Sequence, residues 1–184
     1  MNYMCNEMIL VNTVNDHLRH KKTLLKLIDD FEGLHDTRVV SDVENISSDW
    51  ETPKEVKKEY LEYFFNNVIS ETMDSISQTL GLSSWTADDA WYQRYSEQGT
   101  HDWHNHGKTQ FANSYFLELP DSTYKTEIVG SNGEIIEYDA KEGDVITFPA
   151  WLKHRSKPNG KERKTIIAFN SSFELVTRAL PEEL

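Results

Sequence analysis

Three histidines and an aspartate crowd into 101-HDWHNH-106: His101, Asp102, His104 and His106. The chain has 7 histidines in all, so this one stretch holds an outsized share of its imidazoles. In an extended segment, residues i and i+2 point to the same side. His104 and His106 can therefore reach one ion together. A further histidine, His154, follows the strand-like run in 143-GDVITFPAWLKH-154. In a β-sandwich, strands remote in sequence lie side by side with their inward residues facing one cavity, so His154 can close a third vertex. Three imidazoles on one side of an octahedron leave three positions open, which is the arrangement a metal oxygenase needs. Imidazole suits iron, zinc, copper and nickel alike, so the ligands alone do not name the metal.

A basic pair comes next, in 160-GKERKTIIAFN-170. Arg163 and Lys164 stand where a strand enters the core. A guanidinium at Arg163 can hold a carboxylate through a bidentate pair, with the Thr165 hydroxyl donating to the same anion.

These residues need a frame. The run 8-MILV-11 reads as a short strand, and Thr13 or Asn15 can cap the helix that follows through Phe31. Residues 34–55 read as loop. Pro53 then opens a second helix to Leu80, with Tyr60, Phe64, Ile69, Met73 and Ile76 in its buried stripe and Gly81 closing it. From about Trp85 the texture changes to short segments rich in β-branched and aromatic residues: 90–95, 111–119, 124–130, 134–140, 144–151 and 165–175. The 131-SNG-133 between two of them is a hairpin signal. Six to eight strands at this spacing imply a sandwich or jelly roll, with the two helices covering one outer face. The expected class is α+β, in one domain over 1–184, with a helical part (1–84) and a β core (85–176).

Composition narrows the function. The 184 residues carry a net charge of -12, a field that repels phosphate backbones and disfavours nucleic acid as a partner. A lone cysteine, Cys5, cannot form an internal disulfide and suits a reducing compartment; we read it as packed rather than reactive. No run approaches the ~20 apolar residues of a membrane span. A cytoplasmic protein, away from membranes, is expected.

The words YQRYSEQGTHDWHNH, SYFLELP and GDVITFPAWLKHRSKPNGKERKTIIAFN together resemble the 2-oxoglutarate- and iron(II)-dependent oxygenase superfamily, in its prolyl-hydroxylase-like branch. They are similar to those of small oxygenases of bacteria and cyanobacterial phages. The resemblance spans Trp91 to Phe173, and 47-SSDW-50 joins it. It implies a double-stranded β-helix, a cupin-like jelly roll with N-terminal helices on the major sheet. It implies a dioxygenase that binds Fe(II), 2-oxoglutarate and O2, hydroxylates a small-molecule or peptidyl substrate, and decarboxylates 2-oxoglutarate to succinate. A homodimer is compatible with it, and a phage-encoded chain would work in the host cytoplasm.

By resemblance, His104 and His154 are iron ligands and Arg163 grips the C5 carboxylate of 2-oxoglutarate; aligning on the final Phe-Asn selects Lys164 instead. Tyr95 and Tyr115 are expected to line the co-substrate pocket. One position departs from the superfamily. Its second ligand is a carboxylate, and here His106 stands in that place, so the ion would keep its full charge. Asp102, two residues before His104, offers the alternative two-His-one-carboxylate set, and an anion-filled vacancy offers another. His101 is expected outside the coordination sphere. Two other readings stay open: a three-His iron dioxygenase that does not use 2-oxoglutarate, and a non-catalytic metal-binding jelly roll.

Overall fold

The computed structural model describes residues 7–37 and 45–175. Cys5 lies outside them. Strand β1 (Leu10–Thr13) leads into helix α1 (His17–Glu32), then strand β2 (Ile46–Ser48), helix α2 (Glu59–Phe64), a π-helical turn (Phe65–Ile69) and helix α3 (Ser70–Thr79). Seven strands follow: β3 (Leu82–Tyr95), β4 (His101–His104), β5 (Phe111–Glu118), β6 (Glu127–Val129), β7 (Asp144–Pro149), β8 (Lys153–Ser156) and β9 (Lys164–Leu175). No described helix is long and apolar enough to cross a membrane.

The strands form two antiparallel sheets. The larger runs β1-β7-β5-β9-β3-β2 and the smaller β4-β8-β6. This mixed, mostly antiparallel architecture is consistent with a jelly roll. Side chains alternate across a strand, and that parity divides the core in two. Tyr92 of β3, Tyr115 and Leu117 of β5, and Ile167 and Phe169 of β9 pack against Leu24, Ile28, Phe64, Met73 and Ile76 of the helices. The residues between them, Trp91 and Tyr95, Ala112 and Phe116, Ile166 and Ala168, pack toward the smaller sheet around Ile128, Phe148 and Leu152.

The second helix differs from its expectation at its start and in its middle. Residues 54–58 form turns, with Val56 N–H donating to Pro53 O at 3.0 Å. Helix begins only at Glu59, because Lys58 is drawn aside to Asp49, 2.8 Å away. The π turn adds one residue to the helical repeat. It re-phases the stripe, so that Tyr60 and Phe64 before it and Ile69, Met73 and Ile76 after it all face the sheet. The predicted strand at 134–140 is also absent. That run meets β6 through a single bridge, Val129 to Ile135, and the intervening Gly130–Gly133 turn uses a positive φ at Gly133.

The short β2, hidden within a sequence that reads as loop, is held by 47-SSDW-50. Asp49 is fully buried. Its carboxylate accepts from Tyr60 Oη at 2.6 Å and from Tyr92 N–H at 3.0 Å, and pairs with Lys58. A buried charge needs such partners to persist. One carboxylate thus ties α2, β2 and β3 together and sets Trp50 edge-on against Trp91, ring centroids 4.3 Å apart.

Candidate metal centre

β4 and β8 pair so that His104 lies directly opposite His154, with ring centroids 4.2 Å apart. His106 lies just past β4, fixed by its N–H donating to Ala150 O at 2.9 Å. One ring nitrogen from each of His104, His106 and His154 falls within 4.8 Å of the others.

Each ring is also held from behind. His104 Nδ1 bonds Asp102 O at 2.8 Å, His154 Nδ1 bonds Leu152 O at 3.1 Å, and His106 Nδ1 bonds Asn170 Oδ1. The two carbonyls and the amide oxygen can only accept, so each Nδ1 carries a proton and each Nε2 a bare lone pair. Burial, together with the neighbouring imidazoles, pushes His154 down to about 3, and burial lowers His104 likewise. Both shifts favour the neutral imidazole that a metal ligand requires. This donor set fits a borderline first-row metal ion.

Asp102 stays outside the group. Its carboxylate is exposed and caps Trp103 N–H at 2.7 Å, and its contribution to the centre is the backbone carbonyl behind His104. His101 is brought closer than its spacing suggests. A bulge between His101 and His104 stacks the two rings at 4.0 Å, and Gln93 Nε2 lies 3.1 Å from His101 Nδ1.

Strand parity separates the two candidate anion anchors. Arg163 falls on the helix-side phase of β9. It makes a bidentate pair with Glu118, both contacts at 2.9 Å, Thr165 Oγ1 bonds the same carboxylate, and both are thereby turned away from the histidines. Lys164 is in phase with Ile166, Ala168 and Asn170, and is 1% exposed. Its Nζ donates to Ser156 Oγ and to Tyr124 O at 3.0 Å, and lies 4.1 Å from the Tyr95 ring centroid. Burial, with Lys157 nearby, pushes it down to about 7. Tyr95 and Ser156 line the cavity that holds the three histidines. Tyr115 does not line it. It faces the helices, bonding His17 Nδ1 at 2.6 Å and packing 5.5 Å from Phe64, because its odd position on β5 points the other way.

Gln93, Ser156 and Asn170 are site residues that motif reading missed. Counting by twos from Trp91 and onward from Lys164 would have found the first and last. Outside the cluster a groove of about 700 Å3 opens, walled by Trp50 and Trp91 and edged by Glu51, Asp88, Asp89 and Lys108.

Comparison with protein-family models and with curated proteins finds no match. Solved structures do match. A Pseudomonas putida prolyl-4-hydroxylase aligns at TM-score 0.60 and 12% identity over 92% of this chain and 93% of its own. The viral collagen prolyl hydroxylase of Paramecium Bursaria Chlorella virus-1, solved as a 2-oxoglutarate complex, gives 0.55 and 14% over 90% and 96%. HygX of Streptomyces hygroscopicus, solved with nickel and 2-oxoglutarate bound, gives 0.62 and 9% over 97% and 88%. The chain thus shares the fold of 2-oxoglutarate/iron(II) oxygenases, prolyl hydroxylases among them.

Proposed function

We propose that the protein is an iron(II)- and 2-oxoglutarate-dependent dioxygenase built on a double-stranded β-helix. His104, His106 and His154 would hold the iron, and Lys164, not Arg163, would anchor the C5 carboxylate beside Tyr95. One observation carries this reading. Three bare imidazole nitrogens converge in a cavity that Tyr95 and Ser156 also line, and a buried ammonium with only neutral partners lies against those same two residues. Bound there, iron(II) with 2-oxoglutarate and O2 supplies hydroxylation of a C–H bond and decarboxylation to succinate.

The chain's own residues do the rest. Asn170 and the carbonyls of Asp102 and Leu152 fix the tautomer and tilt of each ligand ring. Phe148, 4.9 Å from His154, keeps water from the cluster together with Ile166 and Ala168. Lys164 offers donors to a carboxylate, and an arriving anion restores the charge that burial works against. The groove beside Trp50 has room for a small molecule or a peptidyl side chain.

The all-imidazole cluster itself favours a second reading, a three-His dioxygenase that does without 2-oxoglutarate. Anaerobic addition of iron(II) and then 2-oxoglutarate separates the two through the visible metal-to-ligand charge-transfer band. The band is expected, with Lys164→Met weakening 2-oxoglutarate about 10- to 100-fold and Arg163→Met leaving it unchanged, since a hydrogen bond to a charged group contributes about 1.5–3 kcal/mol. Iron binding without a band, but with oxygen uptake, selects the second reading. Iron binding with neither leaves a metal-binding module.

A further inference from the structure

The cavity holds a fourth imidazole whose hydrogen bonding runs opposite to that of the other three. His101 lines both the cavity of the three histidines and the adjoining groove. His104, His106 and His154 each donate from Nδ1 to an oxygen. His101 receives at Nδ1 instead, because the partner at 3.1 Å is the Gln93 amide nitrogen, and an amide NH2 only donates.

The direction of that bond is set at a distance. The Lys164 ammonium has three donors and no acceptor, and it donates to Ser156 Oγ. Ser156 and the Lys164 ammonium both lie beside Tyr95, the serine lining the same cavity and Nζ standing 4.1 Å from the ring centroid. Tyr95 Oη then donates to Gln93 Oε1 at 2.8 Å, which turns the Gln93 NH2 toward His101. The bonds therefore run one way along Tyr95, Gln93 and His101. A neutral imidazole that accepts at Nδ1 carries its proton on Nε2. Such a nitrogen has no lone pair for a metal and is a donor.

A donor beside three neutral ligands has a clear complement. Nothing in the cluster of His104, His106 and His154 is anionic, so the first negative charge at the centre must arrive with a ligand. A neutral N–H meets an anionic oxygen with a charge-assisted bond and adds no repulsion toward the metal. We propose that His101 is a co-substrate-binding residue, its Nε2–H donating to the C1 carboxylate of the 2-oxo acid at the metal. This rests on the reading of the site as a 2-oxoglutarate centre.

Two substitutions separate the ring nitrogens: the Gln side-chain amide reaches the place of Nε2, and that of Asn the place of Nδ1. The protein is loaded with iron(II) under anaerobic conditions and titrated with 2-oxoglutarate. His101→Asn is expected to weaken 2-oxoglutarate about tenfold or more and to shift the charge-transfer band, while His101→Gln keeps both within about threefold of the original. Iron(II) affinity without 2-oxoglutarate stays within about threefold in both. A band and affinity unmoved in His101→Asn overturn the assignment and leave the function standing. Iron affinity falling in parallel makes His101 a ligand and also overturns it. A wild-type protein that binds iron and shows no band overturns the underlying function as well.

Discussion

On β9, Thr165, Ile167 and Phe169 turn toward the helices, while Lys164, Ile166, Ala168 and Asn170 turn toward the histidine cluster. The two faces come from one strand and satisfy charge in opposite ways. On the helix side, Arg163 is paired with Glu118, Arg94 with Glu32 and Asp29, Lys21 with Glu142, and Asp49 with Lys58. On the cavity side, Lys164 has a hydroxyl, a carbonyl and a ring face for partners, and three imidazoles present bare nitrogens. On the helix face each of these charges has a counter-charge, although Arg94 Nε and Nη2 lack hydrogen-bond partners among the described residues. The cavity face has deficits that an anion and a metal ion would fill. Changes on the first should therefore read out in stability, and changes on the second in ligand affinity.

The largest expected effect tests the helix face. Asp49→Ala leaves Lys58 and Tyr60 without their buried partner and should cost about 3–5 kcal/mol in urea or thermal unfolding. Metal affinity of the protein that remains folded should stay close to the original. Loss of zinc or iron binding in a folded Asp49→Ala would blur the division. Asn170→Ala tests the other face. Freeing His106 Nδ1 should weaken metal binding about 10- to 100-fold in a titration, and lower apo stability by only about 1 kcal/mol.

Lys164→Met sharpens the comparison through pH. The folded ammonium is pushed down to about 7, against an ordinary 10.5, so the unfolded chain binds the extra proton between those values. Burial's penalty is then full below pH 7 and relieved as pH rises toward 10.5. The apo variant should be more stable than the original at pH 6–7, with the gap closing toward pH 10; a gap that widens instead would place the charge outside the core. The smallest effect belongs to Arg163→Met. Its ion pair is 44% exposed at the arginine side chain, so the loss should be about 0.5 kcal/mol.

Much of this was legible before the fold. The triplet His104, His106 and His154 stands out by spacing, and the alternation from Trp85 onward announces a β core. What the words do not carry is phase. Arg163 and Lys164 differ by one position, and on a strand one position is the whole thickness of the sheet. The phase at Lys164 depends on β9 pairing β3 and β5 at once, through shifts at Ala87/Asp89 and Phe116/Glu118; no local word encodes those. Tyr115 faces the helices by the same parity. β2 escaped because three residues carry no period, and its Asp49 anchor is a tertiary contact to Tyr60 and Tyr92. The stacking of His101 on His104 is not legible either, because a regular strand cannot bring residues i and i+3 together and the bulge that does so is silent in the sequence.

The all-nitrogen ligand set has a consequence for how the protein is found in a cell. A carboxylate helps a site keep hard ions, whereas neutral imidazoles follow the ordinary affinity ladder, on which copper, nickel and zinc outrank ferrous iron. Occupancy would then be decided by which ion is abundant when the chain folds, not by selectivity of the pocket. Protein isolated from rich medium should carry zinc or nickel in the His104–His106–His154 cluster, and elemental analysis before and after chelation and anaerobic iron loading will read that competition directly.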